Sequence, residues 1–158
     1  MDEQTRSGRE KVLVLVKALP HDSRIGETVC CAGVTEDRQW RRQFPIRFRH
    51  LKDSKFSRWQ WIEYDWRRPS DDHRPESRRV DEDSIKVSET MPERERARFL
   101  APILVGGPKE AAAKGKSLTL VRPENVELRC RRKPPEQIEA ERRSFLTPQP
   151  SIHYSTKS

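Results

Sequence analysis

A mainly β fold, a compact β-barrel or half-barrel with a short helical insertion, is what this 158-residue sequence predicts. Three observations carry the prediction. Short apolar or aromatic runs recur through the first 130 residues, each ended by Pro, Gly or a polar turn, as strands are. One late segment, residues 91–115, carries helix-start and helix-stop signals instead. The composition, 32% hydrophobic and 37% charged, falls well below the roughly 45–50% apolar content of an average domain. Only one small core can form, so a disordered leader over residues 1–10 and a loose tail are expected.

Residues 11–19, KVLVLVKAL, hold five consecutive apolar residues and read as a strand buried on both faces. Pro20 ends it. TVCCAGVT (28–35) is a second strand, with Gly33 read as a bulge or sharp bend. Glu36, Asp37 and Arg38 make a tight turn, so residues 28–44 read as a β-hairpin. Residues 47–57 fit a short helix or an irregular loop equally well. RWQWIEYDW (58–66) is a strong strand candidate. Its alternation sets Trp59, Trp61, Glu63 and Asp65 on one face and Gln60, Ile62, Tyr64 and Trp66 on the other. Residues 67–79 read as loop, with two prolines and no periodicity. Ser84 to Val87 makes one further short strand.

Pro92 at a first helical position, with Thr90 as its cap, starts a helix running to Leu100. Residues 103–107 read as loop, and PKEAAAKGK as a second short helix stopped by Gly115. SLTLV (117–121) and NVELRC (125–130) complete the strands. A barrel domain over 11–132 then gives way to residues 133–158, a surface helix from Pro135 to Ser144 and a disordered tail.

Charge concentrates in one place. Residues 38–79 contain all four tryptophans, eleven arginines and two lysines against six acids, a local balance of +7 in a chain of net +8. With a pI near 9.8 and mean hydropathy of −1.01, a polyanionic partner is favoured over a membrane. The N-terminus lacks a signal-peptide apolar region, which points to the cytoplasm. Cys30, Cys31 and Cys130 lack zinc-site spacing and read as reduced thiols.

The strand KVLVLVK, the hairpin ETVCCAGVTEDRQWRRQFPI, the aromatic strand WQWIEYDW, the loop DDHRPES and the segment SLTLVRP resemble the dual OB-containing domain family of prokaryotic conflict (anti-phage) systems. Most of residues 11–130 can be laid onto its first barrel. Arg38 stands where that family often has Gly, and the chain ends in a low-order tail, or the remnant of a second barrel, where the family continues. The resemblance implies a small OB-like barrel holding oligonucleotides across one face. The resemblance implies no defined activity by itself; taken with the +7 aromatic stretch it points to a non-enzymatic sensor or tether in a defence system, with an effector protein as a second partner.

Aromatic rings interleaved with guanidinium groups suit base stacking and phosphate neutralisation. The same rings can instead fill the core beneath arginine stems. Trp40 and Trp61 are assigned to the core. The candidate binding residues are Trp59 and Trp66, with Arg41, Arg42, Arg47, Arg49, Arg58, Arg67 and Arg68 tracking phosphates. Arg74, Glu76 and Ser77 form a candidate binding loop, tied down by an Arg74–Glu76 pair. No catalytic set, metal site or cofactor motif is expected: His21-Asp22-Ser23 is contiguous and cannot form a triad, and Gly115-Lys116-Ser117 lacks the upstream glycine of a phosphate loop. Arg129, Arg131, Arg132 and Lys133 make a second basic cluster. The alternative to nucleic acid is a protein-interaction subunit using the same Trp/Arg-rich surface.

Overall fold

The computed structural model describes residues 6–18, 21–23, 26–47, 51 and 55–146. Its core is a closed barrel of five strands: β1 (Ser7–Lys17), β3 (Gly26–Thr35), β4 (Trp40–Ile46), β5 (Gln60–Arg67) and β6 (Ser77–Val80), with the short β2 (His21–Ser23) paired to β3. Around the ring the order is β1-β3-β4-β6-β5 and back to β1. The β4–β6 pair is parallel, and every other pair in the ring is antiparallel. The mainly β, OB-like barrel expected from the sequence is therefore present. A seventh strand, β7 (Lys86–Thr90), shares the outer edge of β5 with β6.

Strand β1 explains why the barrel tolerates so few apolar residues. Val12 and Val14 point inward to join Val29, Cys31, Ile46, Ile62, Tyr64 and Val80. Leu13 and Leu15 point outward into a second cluster with Val34, Trp61, Met91 and Leu100. Helix α1 (Glu93–Leu100) closes over that outer cluster; Phe99 meets the Trp61 ring edge-on at 5.7 Å. One apolar strand thus serves two cores.

Several sequence expectations are corrected here. β1 begins at Ser7, inside the expected leader, because Ser7–Leu13 pair with Arg67–Trp61 of β5. Residues 77–79, read as loop, form β6 and complete the ring beside β4. Gly33 is not a bulge; the extra residue is Leu15 on the facing strand, between Val14↔Gly33 and Val16↔Ala32. The Ser84–Val87 strand is shifted, with a 3-10 turn at Glu82–Ser84 and β7 starting at Lys86. Thr90 belongs to β7, and Pro92 is the N-cap of α1 without a side-chain cap bond. Residues 104–105, read as loop, form β8 (Leu104–Val105) parallel to β9 (Leu120–Val121), with α2 (Pro108–Ala113) between them. No strand forms over 125–130, and α3 runs from Pro135 to Leu146. Leu51 and Phe56 from the uncertain 47–57 segment sit in the barrel core, and the described residues there are not helical. The expected tail beyond 146 lies outside the described residues.

Arg38 adopts φ 63° in the β3–β4 turn, the left-handed region that glycine fills most easily. Its guanidinium recovers part of that strain, donating from Nε to the Phe99 carbonyl at 2.8 Å and lying 5.0 Å from the Phe99 ring. Among the described residues no helix is long and apolar enough to cross a membrane.

The inner core holds two neutral acids. Burial pushes the Cys31 thiol up to about 12 and the Tyr64 hydroxyl well above its usual range, the latter helped by the neighbouring Glu10. In the unfolded chain they ionise near 9 and 10. The unfolded state therefore loses protons first. Stability from these groups is fully present below pH 9 and falls as pH rises above it, by about 1.4 kcal/mol per pH unit for each group titrating only when unfolded. Urea midpoints taken across the alkaline range should decline accordingly, and Cys31→Ala should flatten the first part of the decline. A midpoint constant to about two units above the thiol's ordinary pKa would refute this.

Candidate nucleic-acid interface

The two-residue alternation of β4 puts Trp40, Arg42 and Phe44 on the outer barrel face while Gln43 is fully buried within. Register decides how far Phe44 projects. Between the pairs Val29↔Ile46 and Cys31↔Gln43, two residues of β4, Phe44 and Pro45, stand opposite Cys30 alone. Such a bulge re-aims a side chain, and Phe44 is left 38% exposed.

Phe44 lies in a cleft of about 450 Å³ built from β3, β4, β6 and the loop between β5 and β6. Arg42, Arg74 and Arg79 line it with the Cys30 thiol and the Asp71 and Asp72 carboxylates. Asp72 takes the Arg74 fork at 2.8 Å from Nε and 2.6 Å from Nη2, and accepts the Ser77 hydroxyl at 2.6 Å. The Arg74 guanidinium, with smaller help from Ser77, holds the Asp72 carboxyl well below the usual carboxylate range. Asp72 is thus a fixed anion that shapes the loop. Arg42 is different: its Nε is buried without a hydrogen-bond partner, and its Nη2 donates to Ser117 Oγ at 3.3 Å. Among the described residues Arg42 meets no carboxylate, so unlike Arg74 it brings a positive charge to the cleft wall that no described acid offsets.

The predicted residues divide sharply. Arg42, Arg74 and Ser77 line the cleft. Glu76 is buried and faces away, accepting the Ser117 hydroxyl, so the expected Arg74–Glu76 pair is replaced by Arg74–Asp72. Arg41 turns inward to Glu10 at 2.7 Å, Arg47 is held by Glu82 at 2.7 Å, and Arg58 donates to the Leu15 carbonyl at 2.8 Å. Arg67 is exposed and Arg68 half-buried, both at the far end of β5. Arg49 lies outside the described residues.

The two tryptophans assigned to stacking do not share a surface. Trp59 precedes β5 and Trp66 sits near its end, roughly 23 Å away at the strand rise. Both rings are already faced by arginine: Trp59 by Arg96 at 4.5 Å and Arg58 at 5.8 Å, Trp66 by Arg78 at 4.0 Å. Trp61 is core as expected, and Trp40 is half-buried against the same outer cluster. Among the described residues the exposed large aromatic is Phe44, outside the set expected from the sequence. Its signal was the Trp-Arg-Phe alternation at 40, 42 and 44 on one strand.

No curated protein and no solved structure matches the chain. A family model described as a domain of unknown function, DUF8758, matches residues 8–102, which take in the whole barrel, β7 and α1. The chain belongs to the DUF8758 family.

Proposed function

We propose that this protein is a non-enzymatic module that binds single-stranded nucleic acid on the outer face of β3 and β4. The observation that carries the reading is the pairing of an exposed Phe44 ring with Arg42, a cation that meets no carboxylate among the described residues, in one arginine-lined cleft. Ring order supports it. Numbered within the barrel alone, the strands run 1-2-3-5-4, with the third and fifth parallel. In OB-folds the face of strands 2 and 3 and the loop between strands 4 and 5 bind oligonucleotides, and the cleft occupies the corresponding place. An exposed ring needs an unstacked base, which a single strand offers and a duplex does not. The resemblance to prokaryotic conflict proteins adds the role: a cytoplasmic sensor or tether working with an effector of the same system.

The cysteines supply the test. Cys30 lines the cleft, Cys130 is exposed elsewhere, and Cys31 is buried. Saturating single-stranded oligonucleotide should slow alkylation of Cys30 while Cys130 reacts freely and Cys31 stays inert. Anisotropy titrations should show Phe44→Ala weakening binding by about 1–3 kcal/mol, with affinity falling steeply between about 50 and 200 mM salt. Protection of Cys130 in place of Cys30, or no binding at the lower salt, would refute the assignment.

One observation favours the second reading, a protein-interaction subunit. Val126 is 75% and Leu128 87% exposed, beside the basic residues Arg129, Arg131, Arg132 and Lys133. Co-purification of a stoichiometric complex free of nucleic acid would support it.

A further inference from the structure

Beyond Arg42, the same face of β4 continues to Trp40, and there the chain adds something that the family match does not include. Residues 103–121 lie past the matched 8–102. They fold as β8, α2 and β9 and come back to the barrel at Ser117, which donates to Glu76 and accepts from Arg42. A groove of about 550 Å³ remains between that segment and the barrel, lined by Trp40, Arg38, Lys114 and Lys116 among others.

The chemistry of this groove repeats that of the cleft. Trp40 supplies a half-buried aromatic wall. Lys116 is exposed on the rim, and Lys114 is engaged only by an exposed i,i+4 contact to Glu110, a kind of pair that contributes little. The carboxylates lining the groove, Asp37 and Glu76, already accept hydroxyl hydrogen bonds from Thr35 and Ser117. Arg42 stands between the two pockets, two residues from Trp40 and two from Phe44.

We propose that the groove is a second base-binding pocket for the same strand, so that one base stacks on Phe44, another on Trp40, and a phosphate between them meets Arg42. This rests on the single-strand reading and deepens it by fixing ligand length. Four strand residues separate the rings by about 13 Å, several times the ~3.4 Å step between stacked bases. The two bases are therefore not stacked neighbours. A dinucleotide fills one pocket only, and the ligand needs on the order of four nucleotides, the lower end of single-strand site sizes.

The test is a length series of oligothymidylates against the wild-type chain and a Lys114→Gln/Lys116→Gln variant, both positions being exposed and outside the core. Wild-type affinity should step up at about four nucleotides. The variant should lose that step and reduce the salt slope for longer oligomers by about 1.4, two single-strand phosphate contacts, while binding the dinucleotide as the wild type does. Unchanged affinity and slope for long oligomers in the variant would overturn the second pocket and leave the Phe44 cleft standing. Failure of the wild type to bind any length would overturn both.

Discussion

Glu10→Ala is expected to cost about 3–5 kcal/mol of folding stability, the range for removing one partner of a buried ion pair. Glu10 reaches into the end of the barrel, where its side chain is 12% exposed. One carboxylate oxygen accepts from Arg41 Nε at 2.7 Å. The other accepts the Tyr64 hydroxyl at 3.0 Å and lies 3.4 Å from Arg78 Nε. The Arg78 side chain is itself only 11% exposed. Truncation would leave two cations facing each other and a buried phenol without its acceptor. That loss is comparable to the whole stability of many domains, so the variant should fold only partly at room temperature. A compensated variant separates lost charge balance from lost packing: Glu10→Leu with Arg41→Met, Arg78→Met and Tyr64→Phe replaces the whole cluster, hydroxyl included, by apolar groups and should recover most of the loss. Urea denaturation followed by tryptophan fluorescence measures both. A single-variant loss below about 1 kcal/mol would mean the cluster behaves like a surface pair.

The same cluster shows why charge counting in the sequence overstated the binding surface. The +7 of residues 38–79 is real, but much of it is already engaged. Arg38 and Arg58 donate to carbonyls, while Arg41, Arg47 and Arg74 meet carboxylates. Arg78 meets Glu10 and covers Trp66. Of the arginines expected to track phosphates, Arg58 also faces an indole, that of Trp59. Trp66 is faced by Arg78 and Trp59 also by Arg96, both outside that set, since guanidinium planes stack on indole faces. Hydrophobic pattern was the better guide. The apolar run of β1 and the alternation of the β3–β4 hairpin are visible in single segments. β6 was not, because three of its four residues are polar, Ser77 and Arg79 at the cleft and Arg78 reaching from the cleft to the inner ion cluster, and only Val80 shows the apolar signal of a strand. Residues 125–130 err the other way: Val126 and Leu128 alternate correctly but pair with no strand, and both remain exposed. The exposure of Phe44 depends on a bulge that only the β3–β4 register reveals.

Gly33→Ala tests the β1–β3 pairing on which the face depends. A Cβ built at Gly33 would lie 2.1 Å from the Leu13 carbonyl oxygen and 2.8 Å from Val12 Cγ1. The nearest obstacle is backbone, so no rotamer change relieves it. The strands must part where Leu15 already bulges out of the ladder to enter the outer core. Ordinary overpacking costs about 1–3 kcal/mol; with backbone as the obstacle the expected loss is at the top of that range or beyond it, about 4 kcal/mol. Gly107→Ala is the matched control: a Cβ there meets nothing within 4 Å, and its φ of 170° is ordinary extended backbone, so its stability should stay within about 0.5 kcal/mol of wild type. Cys31 gives an independent readout. It lies two residues from Gly33 and pairs with Gln43 of β4, and the closed barrel keeps its thiol buried and protonated. If the β1–β3 seam opens, Cys31 should become reactive toward alkylating agents at neutral pH, and Cys30 should lose its protection by oligonucleotide as the cleft comes apart. A Gly33→Ala protein that melts like wild type with Cys31 still unreactive would show that the two strands do not approach this closely.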